Sequence, residues 1–156
     1  MTSPEERLEQ MGITLPELKA SVASLVPAVR TGDLLFLSGS GPAHGSDGKV
    51  TLGKLGRELD VEQGYESARL VGLNLIVRLK AELGDIGRVK RVVKLLCMVN
   101  SAPDFTEQPA VANGCSDLLV EVFGERGRHA RSAVGMSSLP NNIPVEIEMI
   151  VEVDGS

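Results

Sequence analysis

Tryptophan is absent from this 156-residue chain, and there are only one tyrosine and three phenylalanines. With aromatics at 3%, the stacking platforms that hold single-stranded nucleic acid are poorly supplied. Positive charge is scarce too. Sixteen lysines and arginines face 21 acidic residues, for a net charge of −5. That balance disfavours a phosphate backbone as partner, and no basic tract offsets it. The two cysteines, Cys97 and Cys115, form no C-x-x-C pair and have no neighbouring histidine. That pattern disfavours a metal or disulfide site, and both are expected to be buried free thiols in a reducing cytoplasm. No apolar run approaches the roughly 20 residues a membrane helix needs, and the polar, acidic N-terminus lacks a secretory signal. His44 and His129 stand at no metal-ligand spacing and read as surface residues, so no metal is expected.

What is present describes a globular domain. Hydrophobic residues make up 42% of the chain and charged residues 24%, enough to bury a core without staples. Ser3, Pro4 and Glu6 form the start of a short helix with a capping box, ended by Gly12. Residues 1–24 read as an N-terminal extension and 25–156 as the main domain. Residues 15–21 are open between a helical turn and a linker.

Residues 26–30 and 34–38 predict two strands around a Thr31-Gly32-Asp33 turn, followed by a glycine-rich loop and a short strand at Val50 and Thr51. Asp60 caps a long helix that ends before Gly84. Gly64, Ala68, Val71, Leu75, Leu79 and Leu83 make its apolar stripe. Residues 89–99 predict a strand apolar on both faces, with Val93, Leu95, Cys97 and Val99 on one and Val92, Leu96 and Met98 on the other. A second helix covers residues 109–123. Two helices can cover one face of such a sheet, and nothing remaining covers the other. A partner subunit is therefore expected there.

Residues 129–153 read as two strands joined by a turn. In the second strand Val145, Ile147, Met149, Val151 and Val153 form the core face, and Glu146, Glu148 and Glu152 the opposite face. The first carries Arg131 among small and apolar residues. A guanidinium there needs an anion. A salt bridge to Glu146 or Glu148 on the returning strand would supply one, and so would the carboxylate of a ligand. Ser38-Gly39-Ser40-Gly41-Pro42 follows a strand directly but lacks the ending of a phosphate loop. The Ser38 hydroxyl, at a strand end, is placed to contact a ligand.

The segments LLFLSGSGP, GRHARSAVGMSSLP and VEIEMI resemble, in order and spacing, motifs of the reactive intermediate deaminase family, also called Rid or YjgF-like. The match covers residues 26–153. The resemblance implies an α+β, chorismate-mutase-like fold with a mixed sheet and two main helices on one face. It also implies a homotrimer with the sheets packed inside and clefts between subunits. The implied activity is hydrolysis of reactive 2-imino and enamine acids to 2-keto acids and ammonia, without cofactor. Family motifs place the carboxylate-binding arginine at Arg131, the strand-end serine at Ser38 and the catalytic glutamate at Glu146. They place a helix asparagine at Asn113, although the segment from there to Arg131 is one residue longer here. Two positions depart from the family pattern. A cysteine two residues after the arginine is Ala133, whose backbone N–H can still make the contact. A tyrosine ahead of the first strand is Leu25. The alternative reading is a non-catalytic module that binds a small carboxylate metabolite in the same cleft. The implied partners are that small molecule and further copies of the chain, with no nucleic acid and no membrane.

Overall fold

The computed structural model describes residues 2–18 and 24–155. Three α-helices, α1 (Pro4–Gln10), α2 (Val61–Leu83) and α3 (Gln108–Phe123), accompany five strands. The strands are β1 (Ala28–Thr31), β2 (Leu34–Ser40), β3 (Val89–Asn100), β4 (Ala130–Met136) and β5 (Val145–Val153). They form one mixed sheet in the order β1-β2-β5-β3-β4, with every neighbouring pair antiparallel except β3 and β4. A parallel pair needs a crossover, and α3 supplies it between β3 and β4.

Both long helices begin and end where their sequence dictates. Asp60 accepts from the Gln63 N–H, and the Gln63 side chain accepts in return from the Asp60 N–H. Gly84 closes α2 at φ 79°, a conformation that costs glycine little. The expected stripe of α2 is buried and packs with Val111, Cys115, Leu118 and Leu119 of α3 over the sheet. Gly114 permits that close approach, because a Cβ there would overlap the Tyr65 carbonyl of α2. Leu8 of α1 joins the same core, and Lys80 of α2 pairs with Glu5 of α1 at 2.7 Å.

Several expectations need correction. The strand expected at Val50 and Thr51 is irregular backbone. Of the open stretch 15–21, residues 15–18 are neither helix nor strand, and 19–21 lie outside the described residues. In β3 the core face consists of Val92, Leu95, Cys97 and Val99 rather than Val93 with the last three. A register shift against β5 between Val92 and Lys94 inserts an extra residue and reverses the alternation there.

The largest correction concerns the strands of residues 129–153. They are joined by a turn but are not neighbours, because β3 lies between them. A salt bridge from Arg131 to Glu146 or Glu148 is excluded by that topology. Arg131 pairs with Leu95 and shares its core-side face, while Glu146 pairs with Met98 and Glu148 with Leu96 on the other. That other face is open. Val29 is 53% exposed there and Phe36 42%, with Leu34 and Val134 also exposed.

Candidate active site

The resemblance nominates Arg131, Asn113, Ala133, Ser38 and Glu146. The fold sorts them into two groups. Arg131 and Ala133 lie on the edge strand β4, on the side that faces α3. Arg131 Nη1 donates to Asn113 Oδ1 at 2.8 Å and to Ser116 Oγ at 3.1 Å. Both partners stand on the exposed flank of α3, three residues apart and therefore on one helix face. The arginine and the asparagine are thus brought together. Two further residues, not foreseen from the sequence, complete the group. Ser116 lies 2.9 Å from His129 Nε2, and His129 Nδ1 lies 2.6 Å from the Gly127 carbonyl oxygen. A carbonyl only accepts, so Nδ1 carries the proton and donates. Nε2 of the neutral ring then accepts from the Ser116 hydroxyl, whose oxygen accepts in turn from Arg131.

His129 is consequently not the surface residue expected. Burial is the main influence holding its pKa below the usual imidazole value, and the nearby Arg131 charge adds to it. The hydrogen bond to Gly127 opposes both. The cysteines behave as expected: both are buried and unpaired. Burial pushes Cys97 up to about 11 and raises Cys115 well above the usual thiol range.

This group steers Arg131 by one edge only. Both hydrogen bonds use Nη1, and no carboxylate lies within ion-pair distance among the described residues. Nε and Nη2 keep their donors unengaged, and those two nitrogens form the fork that matches a carboxylate. The Ala133 side chain follows on the same face at the same edge.

The second group lies around a bulge in β2, where the register against β5 shifts between Leu37 and Ser40. Ser38 and Gly39 occupy it. The Ser38 hydroxyl donates to the Val26 carbonyl at 2.7 Å, so its proton is committed while its lone pairs stay available. Glu146 reaches toward the bulge from β5. A Cβ on Gly39 would stand 2.5 Å from Glu146 Oε2, so the carboxylate occupies space that only glycine leaves. From the helix side, Arg78 Nη1 donates to the Ser38 and Gly39 carbonyls at 3.2 and 3.3 Å. Burial lowers the pKa of Arg78, and the charge of Glu146 partly restores it. Leu25, where the family tyrosine is expected, is 56% exposed beside this group.

Within one chain the two groups cannot meet on a small molecule. Glu146 and Arg131 belong to strands two spacings apart, about 10 Å, and project from opposite faces. No group of three or more metal-ligating side chains occurs among the described residues. No helix among them is long and apolar enough to cross a membrane.

A mixed sheet backed on one face by two long helices, with an arginine fork at its edge and a carboxylate at its bulge, defines a chorismate-mutase-like α+β protein. Comparison with known proteins agrees. Residues 5–153 match the family described as "YjgF/chorismate_mutase-like, putative endoribonuclease". The chain belongs to that family, the Rid or YjgF-like proteins of the sequence resemblance. Protein TCP17 of Trypanosoma cruzi is 47% identical over 148 residues, covering 94% of this chain and 92% of that protein. The crystal structure of Atu1372 from Agrobacterium tumefaciens, a protein of unknown function, has a TM-score of 0.86. It is 44% identical, with 97% of this chain and 92% of that one covered. A structure from Shewanella oneidensis MR-1, described as a putative endoribonuclease, has a TM-score of 0.90 at 35% identity, covering 97% and 99%.

Proposed function

We propose that this chain is a hydrolytic deaminase that converts reactive 2-imino and enamine acids to 2-keto acids and ammonia, at clefts between the subunits of a homotrimer. The observation that carries this reading is the half-engaged guanidinium of Arg131. Asn113 and Ser116 fix its orientation through Nη1, and the remaining fork awaits a planar anion. A substrate carboxylate docked there receives two parallel, charge-assisted hydrogen bonds, and its reacting carbon is held in one orientation. The N–H of Ala133 lies further along the same edge for a second contact.

Glu146 of a neighbouring copy supplies the proton transfers. An enamine first takes a proton on carbon and gives one up from nitrogen, becoming the imine. Water adds to the imine carbon, forming the C–O bond, while its proton passes through the carboxylate to nitrogen. The C–N bond of the resulting amino alcohol then breaks. The hydroxyl proton passes to nitrogen through the same carboxylate, so ammonia leaves as the hydroxyl becomes the carbonyl of the keto acid. Ser38, at the rim of the same bulge, accepts a hydrogen bond from water or substrate.

The partner subunit is supported by two facts. Half-sites on opposite faces of one sheet require a second copy to complete either. The open sheet face exposes Val29, Leu34, Phe36 and Val134, and Rid proteins are typically homo-oligomeric. Buried, unpaired thiols suit a reducing cytoplasm.

A second reading has its own observation. Leu25 stands where the family places a tyrosine, and the Ser38 proton is already bound to Val26, so the bulge side lacks one polar handle. A cleft with an intact fork and weakened chemistry would bind a carboxylate metabolite without turning it over. The word endoribonuclease in the family description finds little support in a chain of net charge −5 with 3% aromatics.

The test is release of ammonia and keto acid when a 2-imino acid is generated in situ by an amino-acid oxidase. The deaminase reading expects acceleration that Arg131→Ala abolishes while the fold survives. Saturable binding of pyruvate without acceleration for any of several imino acids selects the binding module. An accelerated rate unchanged in Arg131→Ala removes the arginine from the mechanism.

A further inference from the structure

Behind the β2 bulge, on the helix side of the sheet, lies a cleft of roughly 520 Å³ that the proposed reaction does not use. Its walls come from α2, from the turn after β2 and from Pro16, Glu17 and Leu18 near the N-terminus. Among the described residues, one polar group in it lacks a partner and a second keeps donors to spare. Ser40 lines the cleft at 2% exposure, and its hydroxyl is the buried side-chain group without a hydrogen bond among the described residues. A desolvated hydroxyl without a partner is unfavourable, and native proteins rarely keep one without a use.

Arg78 is the second. It is half-buried and lines the same cleft. Nη1 is spent on the Ser38 and Gly39 carbonyls, and Nε and Nη2 engage nothing among the described residues. No carboxylate lies within ion-pair distance of it there. The cleft does not depend on these groups to stay open. Asn74 Nδ2 ties the turn to α2 through the Gly41 carbonyl at 2.9 Å, and Ala43 N–H bonds the Leu70 carbonyl at 3.3 Å.

The composition of the walls narrows the ligand. A single guanidinium balances one negative charge, and Glu17 in the same lining repels a second. Pro42, Ala43 and Val77 offer hydrocarbon contact, His44 lines the cleft as well, and the Asn74 amide there already bonds the Gly41 carbonyl. We propose that this cleft is a second ligand site, separate from Arg131, which binds a small monocarboxylate through the free donors of Arg78 and the hydroxyl of Ser40, its hydrocarbon body against Pro42, Ala43 and Val77.

The test uses the full chain carrying Arg131→Ala, so that the fork at β4 contributes nothing and the outcome is independent of the deaminase reading. Butyrate is titrated calorimetrically, with butanamide as its uncharged counterpart. Butyrate is expected to bind, and butanamide to bind about tenfold more weakly or worse. Adding Arg78→Gln weakens butyrate by about tenfold or more. Arg78 also holds the bulge, so Ser40→Ala is the companion variant. Its hydroxyl bonds nothing among the described residues. Its removal is therefore expected to leave the thermal midpoint unchanged or higher, while weakening butyrate severalfold. Absence of butyrate binding in the Arg131→Ala chain overturns the proposal. So does equal affinity for butanamide, or affinity unmoved by Ser40→Ala.

Discussion

Arg131 on β4 is gripped by two side chains of α3, whereas Glu146 on β5 owes its position to a side chain that is missing, the Cβ of Gly39. The first arrangement is held by contacts and the second by room. At the edge strand, a chain of hydrogen bonds runs from the guanidinium through Ser116 and His129 to the Gly127 carbonyl. At the bulge, backbone does the holding, with Arg78 bracing two carbonyls from behind. The contrast teaches that the two half-sites fail differently. A contact network loosens by degrees when one member is lost, while an occupied gap fails as soon as it is filled.

The largest effect tests whether the halves join between chains. Arg131→Ala and Glu146→Gln should each lower kcat/KM by about a hundredfold or more, the loss expected for a charge-assisted contact or a proton relay. Unfolding the two variants together and refolding them should then restore activity. If each cleft takes its arginine from one chain and its glutamate from another, random assembly leaves about a quarter of the clefts intact. The measurement is keto acid release from the mixture against each variant refolded alone. No recovery would place both residues in a single-chain site, which the opposite faces of the sheet forbid.

Filling the gap comes next. Gly39→Ala puts a methyl group 2.5 Å from Glu146 Oε2 and forces the carboxylate aside. A displacement of that order should cost about tenfold to a hundredfold in kcat, with the thermal midpoint little changed. Gly41→Ala is the control. Its new Cβ would lie 3.1 Å from Ile143 Cδ1, the end of a flexible side chain that can yield. A Gly39→Ala enzyme of full activity would remove Glu146 from the reaction.

Loosening the network is milder. Asn113→Ala and Ser116→Ala each leave Arg131 charged but less well aimed. KM should rise about three- to tenfold with kcat nearly unchanged, because the lost orientation acts on docking rather than on the chemical step. Together they should exceed either alone, since both steer one Nη1 group. An effect confined to kcat would mean that α3 serves the chemistry directly.

The sequence disclosed one half-site better than the other, for physical reasons. The helices were legible because Asp60, Gly84 and a stripe of six residues each state the same boundary or face. Strand β5 was legible because its alternation is unbroken from Val145 to Val153. Alternation tells which residues share a face but not which strand lies alongside, so it cannot reveal that β3 separates Arg131 from Glu146 and Glu148. The bulges at Val92–Lys94 and Leu37–Ser40 were invisible, since each depends on the register with β5. Ser116 is three residues beyond Asn113, a spacing that could have exposed it once Asn113 was nominated. Arg78 carried no such signal. Its role depends on a bulge some 40 positions earlier in the chain.

His129 gives the smallest effect, and its sign follows from its surroundings. Burial and the adjacent Arg131 charge depress its pKa in the folded protein, with the Gly127 bond only partly opposing. In the unfolded chain the ring takes a proton near its ordinary value of about 6.5. Between that value and the lower folded one, the unfolded state binds more protons than the folded state. Stability from the neutral ring is thus complete above about pH 6.5 and is lost as pH falls through the folded value. Other groups titrate over the same range, so the informative quantity is the difference between the wild type and His129→Asn, which cannot take up that proton. On acidification from about pH 7.5 to 5.5, the wild-type thermal midpoint should fall by about a degree or two more than that of the variant. The same protonation makes Nε2 a donor. Ser116 then faces two donors, the ring and Arg131, and must turn its own hydroxyl away. The KM for a carboxylate substrate should accordingly rise toward acid pH in the wild type more than in His129→Asn. Parallel profiles for the two proteins would mean that the ring supports the edge strand without tuning the arginine it touches through Ser116.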